Sequence, residues 1–296
     1  MNNLVYFRLH VFLRLNYKHM KLFFLSALIL GGAAASAQPK LMKQAIITTT
    51  TNVIAPEDED VSQVQNQGGG GMNFRNFGDG ETKSVTYLKN DLVKTNLKSE
   101  SFRGTIFRNN TLKTTTTIFE IMGNKQGFTA SDDDQVAMRK KADSMMKEKA
   151  KTDTSMQRRT RTMTPSPGTV AYTEEAKKIS GYNCKKAYII TDRILSKDSL
   201  AVWYTPEIKF LNLSSTGGTS GFGNMGGVNN FDKIDGFVMQ YERKMPRGRV
   251  MEVKVTKIET DKEIAEKEFE LPKDVEIKTM KEMNEGGGGM MRMIGR

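Results

Sequence analysis

Reactive side chains are few in this chain of 296 residues, which has one cysteine, Cys184, and two histidines, His10 and His19. Both histidines precede an apolar segment typical of an export signal, so the processed chain would contain no histidine. A Ser-His-Asp triad needs a histidine as its base, and zinc sites are built mostly on histidine and cysteine. The sequence therefore predicts a non-enzymatic protein with no catalytic residue, no metal site and no cofactor.

Two other patterns suggest ligand binding and have simpler explanations. Residues 221–226 match G-x-G-x-x-G, but a dinucleotide site needs this motif between a strand and a helix, and here a Gly-rich loop surrounds it. The run Asp132, Asp133 and Asp134 lacks the alternating spacing of a calcium loop. Because Ser131 precedes it, this run is typical of a helix N-terminus, where negative charge is favourable.

A hydrolase that uses two carboxylates stays open as a weaker alternative. The chain has 34 acidic residues, and the sequence alone does not show which of them face each other across a cleft. The net charge of +11 would suit anionic partners, but the one basic cluster, residues 158–161, contains no aromatic residue that would stack on a base. We therefore predict that the protein does not bind nucleic acid, while contact with anionic lipid or glycan stays open.

The first 37 residues have the organisation of a cleaved signal peptide. Lys21 precedes the apolar residues 22–30, and small residues follow them; translation could also begin at Met20. The apolar stretch is shorter than the roughly 20 residues that span a bilayer, so cleavage before Gln38 is favoured over an uncleaved anchor. No cysteine stands directly after the apolar segment, where lipid attachment would need one. We predict a periplasmic or secreted protein that is not a lipoprotein and has no stable membrane span.

Runs of β-branched residues and alternating polarity predict a mainly β fold. Residues 43–53 and 114–121 are rich in Ile and Thr, and residues 84–98 read as a hairpin with a turn in the middle. The clearest period-two alternation is in residues 237–242 and 251–256, which we expect to form antiparallel strands with one apolar and one wet face. Only one long helix is predicted, directly after the aspartate run.

Composition divides the rest of the chain into a domain, inserts and a tail. Residues 38–280 are expected to form a single β-rich domain. The segments 55–80, 152–168 and 214–230 are rich in residues such as Gly, Asn, Thr and Pro and read as flexible inserts. The Gly- and Met-rich tail, residues 281–296, is expected to be disordered.

Two motifs in the second half resemble those of exported Bacteroidetes proteins. Residues 181–187 read G-Y-N-C-K-K-A and residues 203–208 read W-Y-T-P-E-I, and both are similar to motifs of the GLPGLI-type family and of domain-of-unknown-function family 4412. The GLPGLI type would continue with Gly-Pro-Trp, where this chain has L-N-L-S at 211–214. Residues 236–239 and 269–272 are more similar to the second family, and the resemblance covers roughly residues 170 to 280.

This resemblance implies a fold related to the periplasmic lipoprotein carriers. Such a fold is a mainly β, α+β arrangement in which a curved antiparallel sheet forms an incomplete barrel, with one or two helices on its concave face. The family has no established activity, so the resemblance implies none.

The carrier-like fold leads to a functional hypothesis and to candidate residues. An incomplete barrel can hold an apolar cavity, so we expect a binding or carrier protein for an acyl chain or lipid, or for an envelope protein. The alternative is a structural or envelope-interaction protein with a filled barrel. Pocket candidates are Trp203, Phe237, Met239 and Tyr241, with core packing as the simpler interpretation. Cys184 is expected to be a buried structural residue, with a reactive thiol as the alternative.

Overall fold

A single curved sheet of twelve strands organises the part of the chain that this computed structural model describes. The described residues are 39–56, 80–100, 102–121, 123–152, 168–193, 196–210, 213, 230–245, 248–280 and 282. The predicted signal peptide with its histidines and Met20, the glycine motif at 221–226 and the basic cluster lie outside these residues. So do nearly all of the three predicted inserts and of the predicted tail.

Fourteen strands and one long helix are present within the described ranges. The strands are β1 (Lys40–Met42), β2 (Gln44–Ile54), β3 (Gly80–Lys89), β4 (Leu92–Lys98), β5 (Arg103–Asn109), β6 (Thr114–Ile121), β7 (Asn124–Ser131), β8 (Gly168–Ile179), β9 (Tyr182–Arg193), β10 (Ser196–Thr205), β11 (Ile208–Phe210), β12 (Phe237–Lys244), β13 (Val250–Glu259) and β14 (Ile277–Thr279). Helix α1 is Asp132–Thr152, and short 3-10 turns occur at Phe231–Lys233 and Glu266–Phe269.

The strand order across the sheet is β14-β7-β6-β5-β4-β3-β2-β13-β12-β10-β9-β8. All neighbours are antiparallel except β14, which pairs with β7 in parallel, and the sheet is not closed into a barrel. Strands β1 and β11 form a separate parallel pair. Strand accounts for 64% of the structure, which confirms the predicted mainly β fold with a curved, incomplete barrel. The placement of the helix on the concave face stays a prediction.

Local sequence explains how α1 begins directly after β7. The backbone N–H of Asp134 donates to Oγ of Ser131 at 3.1 Å, and the N–H of Ser131 donates to Oδ2 of Asp134 at 2.9 Å. This reciprocal pair is a capping box, so the aspartate run acts as a helix start, as predicted. Asp132 also accepts two hydrogen bonds from the guanidinium of Arg108, which ties the first residue of the helix to β5.

Two clusters of buried hydrophobic side chains pack against the strands of the sheet. The first joins β2, β3 and β4 to the parallel pair β1/β11 and to Cys184. The second lies on β9, β10, β12 and β13 and includes Val202 and Val253, each about 1% exposed or less. Burial of these apolar side chains provides the main favourable term for folding.

None of the helices in the described part of the chain combines the length and the hydropathy that a bilayer crossing requires.

Candidate functional site

A groove of about 580 Å³ lies on the sheet between β4–β7 and the chain segment that follows β13. This volume is within the range of about 300–1,000 Å³ that is usual for small-molecule sites. Its lining combines apolar and charged side chains with the uncharged polar residues Asn96 and Thr105. The apolar ones are Leu97, Phe107, Ile118, Pro272 and Val275, and the charged ones are Lys94, Lys98, Arg103, Glu120, Lys125 and Glu270.

One wall of the groove belongs to residues 260–276, a segment that we call the strap. The strap leaves the end of β13 and reaches β7, where β14 continues it as a parallel edge strand. Lys89 on β3 holds its first half, since its Nζ donates to the carbonyl oxygen of Ile264 at 2.8 Å and lies 2.6 Å from Oε1 of Glu266. Ile264 is only 2% exposed, so this half of the strap is anchored by burial as well as by charge.

Two ion pairs hold the second half of the strap across the groove. Nζ of Lys94 on β4 lies 3.4 Å from Oε2 of Glu268, and Nζ of Lys125 on β7 donates to Oδ2 of Asp274 at 2.7 Å. The second hydrogen bond lowers the pKa of Asp274 and raises the pKa of Lys125. The strap is therefore docked through its carboxylates onto lysines of three different strands.

The end of the strap and the start of β14 pack closely against Gly127 on β7. A Cβ at this position would lie 3.0 Å from Cγ1 of Ile277, 3.3 Å from Cγ1 of Ile118 and 3.4 Å from Cγ1 of Val275. A residue with a Cβ at this position would require these three side chains to move by a few tenths of an ångström. Val275 thus packs close to the groove floor.

Charged side chains form a row across five strands along one side of the groove. Lys98 on β4 lies opposite both Lys83 on β3 and Arg103 on β5. Glu120 on β6 lies opposite Arg103 and also opposite Lys125 on β7. We call the three adjacent cations Lys83, Lys98 and Arg103 the cationic row; with neighbouring strands about 4.8 Å apart, this row spans roughly 10 Å. Like charges that are directly opposite destabilise a sheet, so Lys98 is in an unfavourable position unless an anion is near.

The floor of the groove next to the cationic row is formed by apolar side chains. Phe107 and Ile118 are 9% and 7% exposed, and they lie at the level of the strap. Oγ1 of Thr105 donates to Oδ1 of Asn96 at 3.1 Å, so the hydroxyl proton of Thr105 is paired within the groove. The groove therefore offers an apolar floor beside a charged edge, which is an arrangement suited to an amphipathic ligand. Within the described ranges, no three His, Cys, Asp or Glu side chains are grouped as a metal site would need.

The four residues predicted to line an apolar pocket are not part of this groove. Phe237 and Met239 are buried in the first cluster, and Trp203 packs against it. Tyr241 belongs to the second cluster instead. The reason is a β-bulge, because Trp203 pairs with Gln240 and the next residue of β10 pairs with Val238, which leaves Met239 as the extra residue. A bulge shifts the in-and-out alternation by one position, so the four side chains do not share one face.

Lysine side chains cover the ring of Trp203. Nζ of Lys177 lies 4.1 Å from the ring centroid and donates to Oε1 of Gln240 at 2.8 Å, and Nζ of Lys186 lies 5.8 Å from the same centroid. Burial lowers the pKa of Lys177, and the positive charge of Lys254 adds to this effect. Trp203 is therefore engaged in cation–π contacts on the sheet. Its role as a pocket residue stays a prediction.

Cys184 is fully buried on β9, next to the edge strand β8 rather than in the middle of the sheet. Its Sγ lies 3.6 Å from the carbonyl oxygen of Tyr182. Burial raises the pKa of the thiol to about 11, so the thiolate that would make it reactive is disfavoured.

Sequence reasoning missed the groove because its residues become neighbours only through the pairing of four strands, β4 to β7, and the docking of the strap. Lys98 and Arg103 are separated by a short turn, and in the sequence alone their charges do not indicate a binding site. One signal was present, since Lys94 and Lys98 alternate with the buried Val93, Thr95 and Leu97 and so must face away from the core.

Comparisons with known proteins identify a family and distant structural neighbours. The family model described as Domain of unknown function (DUF4412) matches residues 79–275. No curated protein matches the chain. Solved structures of PNGF-II in the P21 and C2 space groups match with 13% and 14% identity and TM-scores of 0.34 and 0.33. These matches cover 82% and 84% of this chain but only 32% of the other chain in each case, so this chain spans about a third of the length of those proteins.

Proposed function

This chain belongs to the family described as Domain of unknown function (DUF4412), and we propose that it is a non-enzymatic binding protein for an apolar ligand that carries an acyl chain. The observation that carries the proposal is the groove of about 580 Å³, with its floor of Phe107 and Ile118 and its wall formed by the strap. A site of this size, half enclosed and partly apolar, is suited to holding a single hydrocarbon chain.

The proposed setting is the periplasm or the outside of the cell. Its support is the signal-like organisation of residues 1–37, with the apolar run after Lys21 and the small residues before Gln38. We also keep as proposals the Bacteroidetes origin and the relation to the GLPGLI-type family.

The test is whether the protein holds a lipid in the groove. Native mass spectrometry of protein purified from its own envelope fraction should detect a bound acyl-chain compound. In solution, the neutral apolar dye N-phenylnaphthylamine should gain fluorescence on binding. Val275→Glu places a charge on the groove wall and should abolish this gain, because burying an unpaired carboxylate beside a hydrocarbon is unfavourable.

Leu271→Glu is the matched control, since Leu271 lies in the same strap, is 42% exposed and does not line the groove. It should bind the dye as the parent protein does, with an unchanged circular dichroism spectrum in both variants. A protein that is isolated without lipid and takes up no dye would overturn the proposal.

A second candidate function is contact with another envelope protein. The observation that favours it is that Phe237 and Met239 pack into one hydrophobic cluster and Tyr241 into another. These side chains therefore contribute to the packed core and not to an open cavity. Cross-linking in intact cells, followed by purification of this chain, should then recover one defined envelope protein. That result, together with absent dye binding, would favour this function over ligand binding.

A further inference from the structure

We propose that the ligand of the groove is an amphiphile with an anionic headgroup, and that Lys98 and Arg103 bind this headgroup. The inference rests on the proposed function and adds the chemistry of the ligand's polar end. Its starting point is the cationic row beside the apolar floor.

Some of the cationic side chains that line the groove form ion pairs with the strap, and others do not. Lys94 and Lys125 are engaged by carboxylates of the strap, at 3.4 and 2.7 Å. Lys98 and Arg103, in contrast, make no ion pair and no side-chain hydrogen bond with any other described residue, and both are exposed. Glu120 lies opposite Arg103 on β6, on the side away from Lys98, and forms no ion pair with it. Within the described lining, the two cations directly opposite each other are thus the ones open to a ligand.

The geometry of this pair suits an anion with two or more oxygens. Directly opposite residues on antiparallel strands have Cβ atoms about 4.5–5.5 Å apart. A carboxylate or phosphate between them can accept hydrogen bonds from the guanidinium fork of Arg103 and from Nζ of Lys98. Such an anion would also reduce the repulsion between the two cations. This reduction makes the free energy of binding more favourable.

The path of the hydrocarbon chain follows from the alternation along β5. Arg103, Thr105 and Phe107 project to the same face, and roughly 13 Å separates the first from the last. Because the hydroxyl of Thr105 already donates to Asn96, its proton is not left unpaired beside a passing chain. A headgroup at Arg103 therefore places the acyl chain along β5 towards Phe107, at the level of the strap.

The test compares anionic and neutral amphiphiles of equal chain length. Oleate and monoolein are titrated, below the concentrations at which they aggregate, against protein loaded with N-phenylnaphthylamine. Oleate should displace the dye at about a tenfold lower concentration than monoolein, since a hydrogen bond to a charged group contributes more than a neutral one. This advantage should shrink when salt is raised from about 0.01 M to 1 M.

The variant Lys98→Gln/Arg103→Gln should bind oleate about tenfold more weakly and bind monoolein as before, so that the difference between the two ligands disappears. The control Lys178→Gln/Lys254→Gln removes the same charge from exposed positions on β8 and β13 and should keep the difference. Inorganic phosphate or acetate alone should not displace the dye.

Three results would overturn the inference, and each has a different meaning. Equal displacement by oleate and monoolein would exclude a headgroup site while leaving the proposed function intact. Displacement by phosphate alone at similar concentrations would indicate a simple anion site without a chain. Displacement by neither amphiphile would remove the proposed function together with this inference.

Discussion

Oδ2 of Asp274 lies 2.7 Å from Nζ of Lys125, and this ion pair holds the strap against β7 at one side of the groove. The pair joins residues that are far apart in sequence, and it is exposed on both sides, with 44% and 62% of the two side chains accessible. Because the strap is a wall of the groove, this contact helps to fix the position of that wall.

Docking of the strap should depend on pH. The hydrogen bond from Lys125 lowers the pKa of Asp274 in the folded protein. The pair therefore stabilises the docked strap above the unfolded carboxyl pKa of about 3.9, and this contribution is lost as pH falls through the folded pKa. The pKa of Lys125 is raised in the folded protein. The stabilisation by the pair is therefore fully present below the unfolded lysine pKa of about 10.4, and it is lost at higher pH as Lys125 deprotonates.

Hydrogen exchange of strap peptides, corrected for intrinsic rates, should detect this change. We expect constant protection near neutral pH and a loss of protection in acid. Asp274→Asn should already be somewhat less protected than the parent protein at neutral pH, because an exposed ion pair contributes only a little to stability. Glu263→Gln, an exposed strap residue that makes no ion pair with the described residues, should behave like the parent protein. Equal protection in Asp274→Asn and the parent would show that the ion pair does not hold the strap.

Gly236 before β12 should not tolerate alanine. Its φ is +150°, and a Cβ there would lie 2.2 Å from the carbonyl oxygen of Thr205. Both the backbone strain and the clash act against the folded state, so Gly236→Ala should lower the free energy of unfolding by about 3 kcal/mol or more. Gly181→Ala has a positive φ of +89° but open space around the added atom. It should cost only about 1–2 kcal/mol, and urea unfolding of both variants measures the difference.

Substitutions of Cys184 should report its apolar surroundings. Cys184→Ser places a hydroxyl in a buried site and should cost about 1–3 kcal/mol. Cys184→Ala leaves only a small cavity and should cost less. Because burial raises the thiol pKa to about 11, the native protein should react slowly with a thiol reagent and rapidly once unfolded. Fast reaction of the native protein, or a smaller cost for serine than for alanine, would contradict this description.

Local sequence signals predicted much of the sheet because their physical cause is local. The Ile- and Thr-rich run became β2, and the hairpin of β3 and β4 turns at Asn90, whose φ is +52°. The capping box at Ser131 fixed the start of α1. These features depend on side-chain branching, turn geometry and hydrogen bonds between near neighbours.

Features that depend on tertiary contacts were not predictable in this way. Strand β5 reads R-G-T-I-F-R-N and mixes polar and apolar side chains on each face, so its sequence does not show which face is buried; the face with Arg103, Thr105 and Phe107 lines the groove. The strap itself has no regular pattern, since it is held by ion pairs and by the single buried Ile264. The bulge at Met239 is set by its pairing with β10, so the alternation read from β12 alone placed Tyr241 on the wrong face.

Photoaffinity labelling tests the location of the ligand most directly. A fatty acid with a photoreactive diazirine in its chain is irradiated with the protein, and the modified residues are mapped by mass spectrometry. The account predicts saturable labelling of peptides from β5, β6 and the strap, at residues such as Phe107, Ile118 and Pro272, that excess oleate suppresses. Labelling confined to peptides that contain Trp203 or Phe237, or labelling that excess oleate does not suppress, would contradict it.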